Sequence, residues 1–103
     1  MRDSDPSMRQ LLESVSKAAA LLKTIGNEHR LLVLCVLIQH EELSVNALQD
    51  FVPLSQSALS QHLAKMRQEG LITYRREAQT LYYRILNEDV KTVISTLKTI
   101  FCP

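Results

Sequence analysis

Residues 55–70 read SQSALSQHLAKMRQEG. Ser55 stands ahead of the run as an N-cap, and Gly70 follows it where a helix needs a residue at ease in left-handed backbone. Leu59, Leu63 and Met66 recur at steps of four and three, so one stripe of the helix is apolar. The opposite face offers Gln56, Ser57, Ser60, Gln61 and Lys65: amides and hydroxyls, one cation, no carboxylate. A helix carries that mixture when it meets base edges and phosphates in a major groove. A solvated surface helix carries it too, and the flanking chain decides between them.

Immediately upstream, Ser44 caps a short helix expected to run through about Phe51, with Val45, Leu48 and Phe51 facing inward. Val52-Pro53-Leu54 is the turn, because Pro53 disfavours helical backbone at Val52. A short helix, a tight turn and a longer polar-faced helix make a helix-turn-helix. Downstream of Gly70 the period changes. Residues 71–76 and 80–85 are rich in β-formers, and Glu77-Ala78-Gln79 is a connection of hairpin length. Arg75, Arg76 and Arg84 lie on or near this two-stranded ribbon, where Arg75, Arg76 and Gln79 are candidates to meet phosphates or the minor groove. The ribbon is the wing of a winged helix.

Further out, Asn27 caps a helix through about Gln39 that is apolar nearly all round and therefore central. Leu11, Val15, Ala18, Leu22 and Ile25 form a narrow seam on a helix from Met8 to about Gly26, of the kind that packs against another helix. Asn87 caps a last helix from Glu88 to about Phe101, with Val90, Val93, Ile94, Leu97 and Phe101 as its apolar stripe. Glu88 and Asp89 suit its positive end. Residues 1–7 carry charge, Pro6 and no apolar spacing, and read as disordered. Residues 8–103 read as one domain.

The bulk numbers agree. A chain of 103 residues, 46% hydrophobic, builds one small core, and such chains often gain stability by dimerising. No run suits a membrane span and the start is not a signal peptide, so the cytoplasm is expected. Net charge is only +1, but it is unevenly spread. Residues 1–54 hold five Lys/Arg and seven Asp/Glu, whereas residues 55–86 hold five Lys/Arg and two Asp/Glu. The positive charge sits on the recognition helix and wing. An enzyme is not expected: no nucleophile–base pair stands at recognisable spacing, and Gly26 and Gly70 make no phosphate loop.

Residues 26–34 (GNEHRLLVL), 54–63 (LSQSALSQHL), 69–72 (EGLI), 75–79 (RREAQ) and Tyr82-Tyr83 together resemble the ArsR/SmtB-type bacterial winged-helix repressors. The resemblance implies a mainly α fold of about five helices plus a hairpin wing. It also implies a homodimer joined through the N- and C-terminal helices, and a repressor that releases operator DNA when a signal binds. Metal-sensing members carry a cysteine pair after Glu-Leu; here Ser44 and Asn46 follow Glu42-Leu43, and neither ligates a soft metal. The last helix has Asp89 but no histidine, and His29, His40 and His62 are scattered. No metal site and no cofactor are expected.

What remains is Cys35 on the second helix and Cys102 at the end of the last. That layout resembles the persulfide- and redox-sensing subgroup typified by BigR, SqrR and HlyU, and implies a sulfane-sulfur or oxidant inducer. Nothing local activates either thiol. An apolar helix interior raises the pKa of Cys35, and a helix C-terminus disfavours a thiolate at Cys102. Cys35 is otherwise a small core residue and Cys102 an accident of a frayed end. Two readings compete with a thiol-switched repressor: a DNA-binding regulator or anti-repressor with no thiol switch, and a winged helix used only for protein contacts.

Overall fold

A computed structural model describes residues 6–102. Its elements run α1 (Pro6–Ile25), α2 (Glu28–His40), β1 (Leu43–Ser44), α3 (Val45–Gln49), α4 (Gln56–Gln68), β2 (Ile72–Glu77), β3 (Thr80–Ile85) and α5 (Glu88–Phe101). The helix α1 starts at Pro6 rather than Met8, because proline suits the first helical position, where no amide partner is needed. The rest of the expected disordered start, residues 1–5, lies outside the described residues.

Four helices begin at side-chain caps. The Asn27 side chain accepts from the backbone N–H groups of His29 and Arg30, at 2.9 and 3.1 Å. Ser44 accepts from Ala47, Ser55 from Ala58 and Asn87 from Asp89. Each cap satisfies an amide that the first helical turn leaves without a partner. Two glycines end helices. At Gly26 the chain turns so tightly that an added Cβ would lie 2.9 Å from the Leu22 carbonyl oxygen. Gly70 has φ +77, and the N–H groups of Gly70 and Leu71 close onto the carbonyls of Arg67 and Met66 at 3.0 and 2.9 Å. That is a Schellman closure, and it passes the chain from α4 into β2 with three intervening residues.

The core gathers Val33, Leu34, Val36 and Leu37 of α2, Leu48 of α3, Leu59, Leu63 and Met66 of α4, Ile72 and Ile85 at the wing's base, and Val90 and Ile94 of α5. Val45, Val93 and Leu97 pack against it partly buried, and two expected inward residues, Phe51 and Phe101, lie outside it. Helix α3 stops at Gln49, so Phe51 falls in the turn and is 44% exposed, while Val52 takes the buried place. Phe101 is 76% exposed, because α5 runs past the edge of the core. Helix α1 buries only Thr24 and Ile25. Its seam residues Leu11, Val15 and Leu22 face outward, Leu22 at 60% exposure.

The wing has one strand more than expected. β1 pairs antiparallel with β3, Leu43 opposite Tyr83 and Ser44 opposite Tyr82, giving a sheet of order β1-β3-β2. In the hairpin Glu77 pairs with Thr80, so the loop is only Ala78-Gln79, with Ala78 in left-handed backbone at φ 55. Among the described residues, no helix is long and apolar enough to cross a membrane.

Candidate nucleic-acid interface and thiol pair

Burial of Leu59, Leu63 and Met66 fixes the rotation of α4 and turns Ser55, Gln56, Ser57, Ser60, Gln61 and Lys65 to solvent. Lys65 is held by Glu69 one turn on, at 3.1 Å. Between α4, the start of α3 and the wing runs a cleft of about 300 Å3, lined by Gln56 and Ser60 on one side and Gln79, Thr80 and Tyr83 on the other. Ser44 and Asn46 close its third wall. The cleft thus unites three of the expected contact residues from two elements. It adds Asn46 and Thr80, which sequence reasoning missed. Asn46 lies two residues beyond a cap whose position was legible, but its place in a wall depends on tertiary packing.

Strand alternation separates the two neighbouring arginines. Arg75 is opposite Tyr82 and Arg76 opposite Leu81, so they project from opposite faces of the ribbon. Leu81 and Tyr83 line the cleft, and Arg67 of α4 lies 4.8 Å over the Tyr74 ring, so the Arg76 face is turned to α4. Arg75 points the other way. Its guanidinium lies 4.5 Å over the Tyr82 ring and binds Glu42 through Nε and Nη2 and Glu77 through Nη1. The hydrogen bonds from Arg75 hold the Glu42 carboxyl below its usual range. Among the described residues, Arg76 makes no ion pair.

On the far side of α4, Arg30 Nε donates to His62 Nδ1 at 3.1 Å, and the His29 ring stands 6.0 Å from that of His62. Partial burial, then the charges of Arg30 and His29, lower the pKa of His62. Among the described residues, no three His, Cys, Asp or Glu side chains gather to hold a metal.

Both cysteines are free thiols. Cys35 is half-buried on α2, packed against the core, and α2 packs against α5. Cys102 is exposed at the C-cap of α5, its N–H bonded to the Lys98 carbonyl at 2.8 Å. Burial pushes the Cys35 thiol up; the Lys98 ammonium opposes this and the Cys102 thiol adds to it. The Cys102 thiol, at the end of the helix that packs on α2, bears electrostatically on Cys35.

Residues 27–74 match the family described as bacterial regulatory protein, arsR family. The chain is 48% identical to the HTH-type transcriptional regulator YgaV of Escherichia coli, over 93% of this chain and 97% of that one. It is 41% identical to the transcriptional activator HlyU of Vibrio cholerae, over 99% and 94%. The structure of reduced HlyU superposes with a TM-score of 0.87 at 44% identity, covering 92% of this chain and 99% of that chain. The transcriptional repressor BigR of Xylella fastidiosa gives 0.84 at 30% identity, covering 93% and 97%.

Proposed function

The chain belongs to the arsR family of bacterial regulatory proteins and is a DNA-binding transcriptional regulator, and from that premise we propose that it is a homodimeric repressor switched by sulfur chemistry at Cys35 and Cys102. The observation that carries the switch is the packing of α2, which bears Cys35, against α5, which ends at Cys102. The exposed apolar stripe of α1 and the projecting end of α5, with Ile100 and Phe101, supply the dimer surface.

In this reading Ser55, Gln56, Ser57, Ser60, Gln61 and Lys65 enter the major groove, and Arg76 and Gln79 reach the backbone from the wing. Arg75 acts indirectly, as the residue that holds the wing's shape. Two recognition helices must lie about one DNA turn apart, roughly 34 Å, to read both half-sites. A bridge from α2 to the end of α5 tilts that pair. A coupling of about 1–3 kcal/mol lowers operator affinity about 5- to 150-fold.

The bridge is a polysulfide. Each thiolate takes the terminal sulfur of a low-molecular-weight persulfide, RSSH, and releases RSH. The Cys35 persulfide anion then attacks the inner sulfur of the Cys102 persulfide, forming Cys35–S–S–S–Cys102 and expelling hydrosulfide. The persulfide is the oxidant throughout: two RSSH are consumed, one of their sulfane sulfurs stays in the bridge, and the other leaves as hydrosulfide. An extra sulfur lengthens the reach by about 2 Å over a plain disulfide.

The test is intact mass and operator binding after treatment with peroxide and, separately, with a persulfide donor. The expected result is a gain of one sulfur and loss of two hydrogens with the persulfide, together with release of DNA. Equal yields of plain disulfide from both reagents overturn the polysulfide bridge. The second reading is a DNA-binding regulator or anti-repressor with no thiol switch; the description of HlyU as a transcriptional activator bears on its anti-repressor half alone. A Cys35→Ser variant whose DNA binding answers both reagents as the parent does supports that second reading.

A further inference from the structure

The proposed switch needs a nucleophilic thiol, yet burial works against a thiolate at Cys35. The structure supplies what the local sequence lacks. Along α5, Val90 and Ile94 are fully buried against the core. Lys98 follows Ile94 by one turn and is half-buried, and Cys102 follows Lys98 by another. Steps of four keep these residues neighbours on one flank of a helix. Lys98 therefore stands between the end of the buried stripe and the Cys102 thiol, on the helix that packs against α2. The charged and titratable groups that act on the Cys35 sulfur are Lys98 and Cys102, both from α5.

We infer that Lys98 is the positioning residue of the thiol pair: its ammonium, one turn before Cys102 on the helix that packs against α2, makes the thiolate of half-buried Cys35 easier to form than it would be without that charge. A fixed cation close to a half-buried sulfur favours the charged form and offsets part of the desolvation. Cys102 is exposed at the helix end and takes the role of the second, resolving thiol. The assignment rests on the switch proposed above, but its test uses neither DNA nor persulfide.

In a Cys102→Ser background, iodoacetamide reports on Cys35 alone. The thiolate forms one S–C bond and iodide leaves, so the rate follows thiolate fraction. In Lys98→Met and Lys98→Gln the midpoint of the rate–pH curve rises and alkylation near neutral pH slows roughly threefold or more. Lys98→Arg, which keeps the charge, stays near the parent. A midpoint unmoved in both neutral variants overturns the assignment. So does a midpoint that rises in Lys98→Arg as far as in Lys98→Met, since packing alone would do that. If the midpoint shifts as expected but Cys35→Ser protein still answers persulfide, the switch fails and the role of Lys98 in setting the thiolate stands.

Discussion

Nη2 of Arg75 lies 2.6 Å from Oε1 of Glu42, a residue 33 positions earlier in the chain. Arg75 is on β2 and Glu42 just precedes β1, and the strand between them is β3. The guanidinium crosses the Tyr82 ring of that middle strand to reach the carboxylate, so one side chain ties all three strands on the face turned away from α4. Its neighbour Arg76 is on the other face. The pair therefore separates shape from contact. Arg76→Ala should weaken binding to all DNA sequences and reduce the slope of log K against log salt by about 1.8, one phosphate contact from each of the two protomers. Arg75→Ala should leave the slope within about 0.3 of the parent while increasing hydrogen exchange in β1 and β2. Titrating both variants over a salt series measures the difference, and a slope loss of about 1.8 in Arg75→Ala would reverse the two roles.

Leu59 is fully buried beneath the recognition face. Leu59→Ala removes apolar contact and leaves a cavity, at a cost of about 2–5 kcal/mol. Urea unfolding should show a lower midpoint with an unchanged m-value, and operator affinity should fall with the loss of folded protein.

Ala78 occupies left-handed backbone at the wing tip, where glycine avoids a steric cost of about 1 kcal/mol. Ala78→Gly should raise thermal stability modestly. A fall in the melting temperature would show that the added chain entropy of glycine outweighs the relief of strain.

Partial burial, then the charges of Arg30 and His29, hold the pKa of His62 below the ordinary 6.5, and its Nδ1 accepts a hydrogen bond from Arg30. Because the folded value is the lower one, the unfolded chain takes up the proton first. The contribution is fully present above the unfolded value and is lost as pH falls from there towards the folded value. His62→Gln keeps an acceptor for Arg30 and removes the titration. Urea midpoints at about pH 7.5 and about pH 5.5 should drop further in the parent than in the variant. Equal drops would exclude His62 as a source of acid sensitivity.

Val15 and Leu22 lie on the exposed stripe of α1. Val15→Glu with Leu22→Glu should give monomers in sedimentation and weaken binding to a two-half-site operator far more than to a single half-site. Unchanged sedimentation would remove α1 from the dimer surface.

Much of this was readable from sequence because it is local. Asn27, Ser44, Ser55 and Asn87 cap the helices they precede, since a cap needs only its own next three residues. The stripe Leu59, Leu63, Met66 is buried because period alone fixes a helix face. Phe51 and Phe101 defeated the same reasoning: periodicity says which way a residue points, not whether the helix or the core extends that far. β1 escaped because two residues carry no pattern, and its pairing lies with Tyr82 and Tyr83 far along the chain. The opposite fates of Arg75 and Arg76 needed the hairpin register, and the role of Lys98 needed the packing of α5 on α2. The recognition-helix residues are exposed as expected, and their contacts with DNA belong to the proposal.

The closure at Gly70 leaves almost no slack between α4 and β2. The main-chain bonds from Gly70 and Leu71 back to Arg67 and Met66 weld the reading helix to the ribbon beside it. Any tilt of α4 is therefore passed directly to the base of the ribbon, and helix and wing move as one piece.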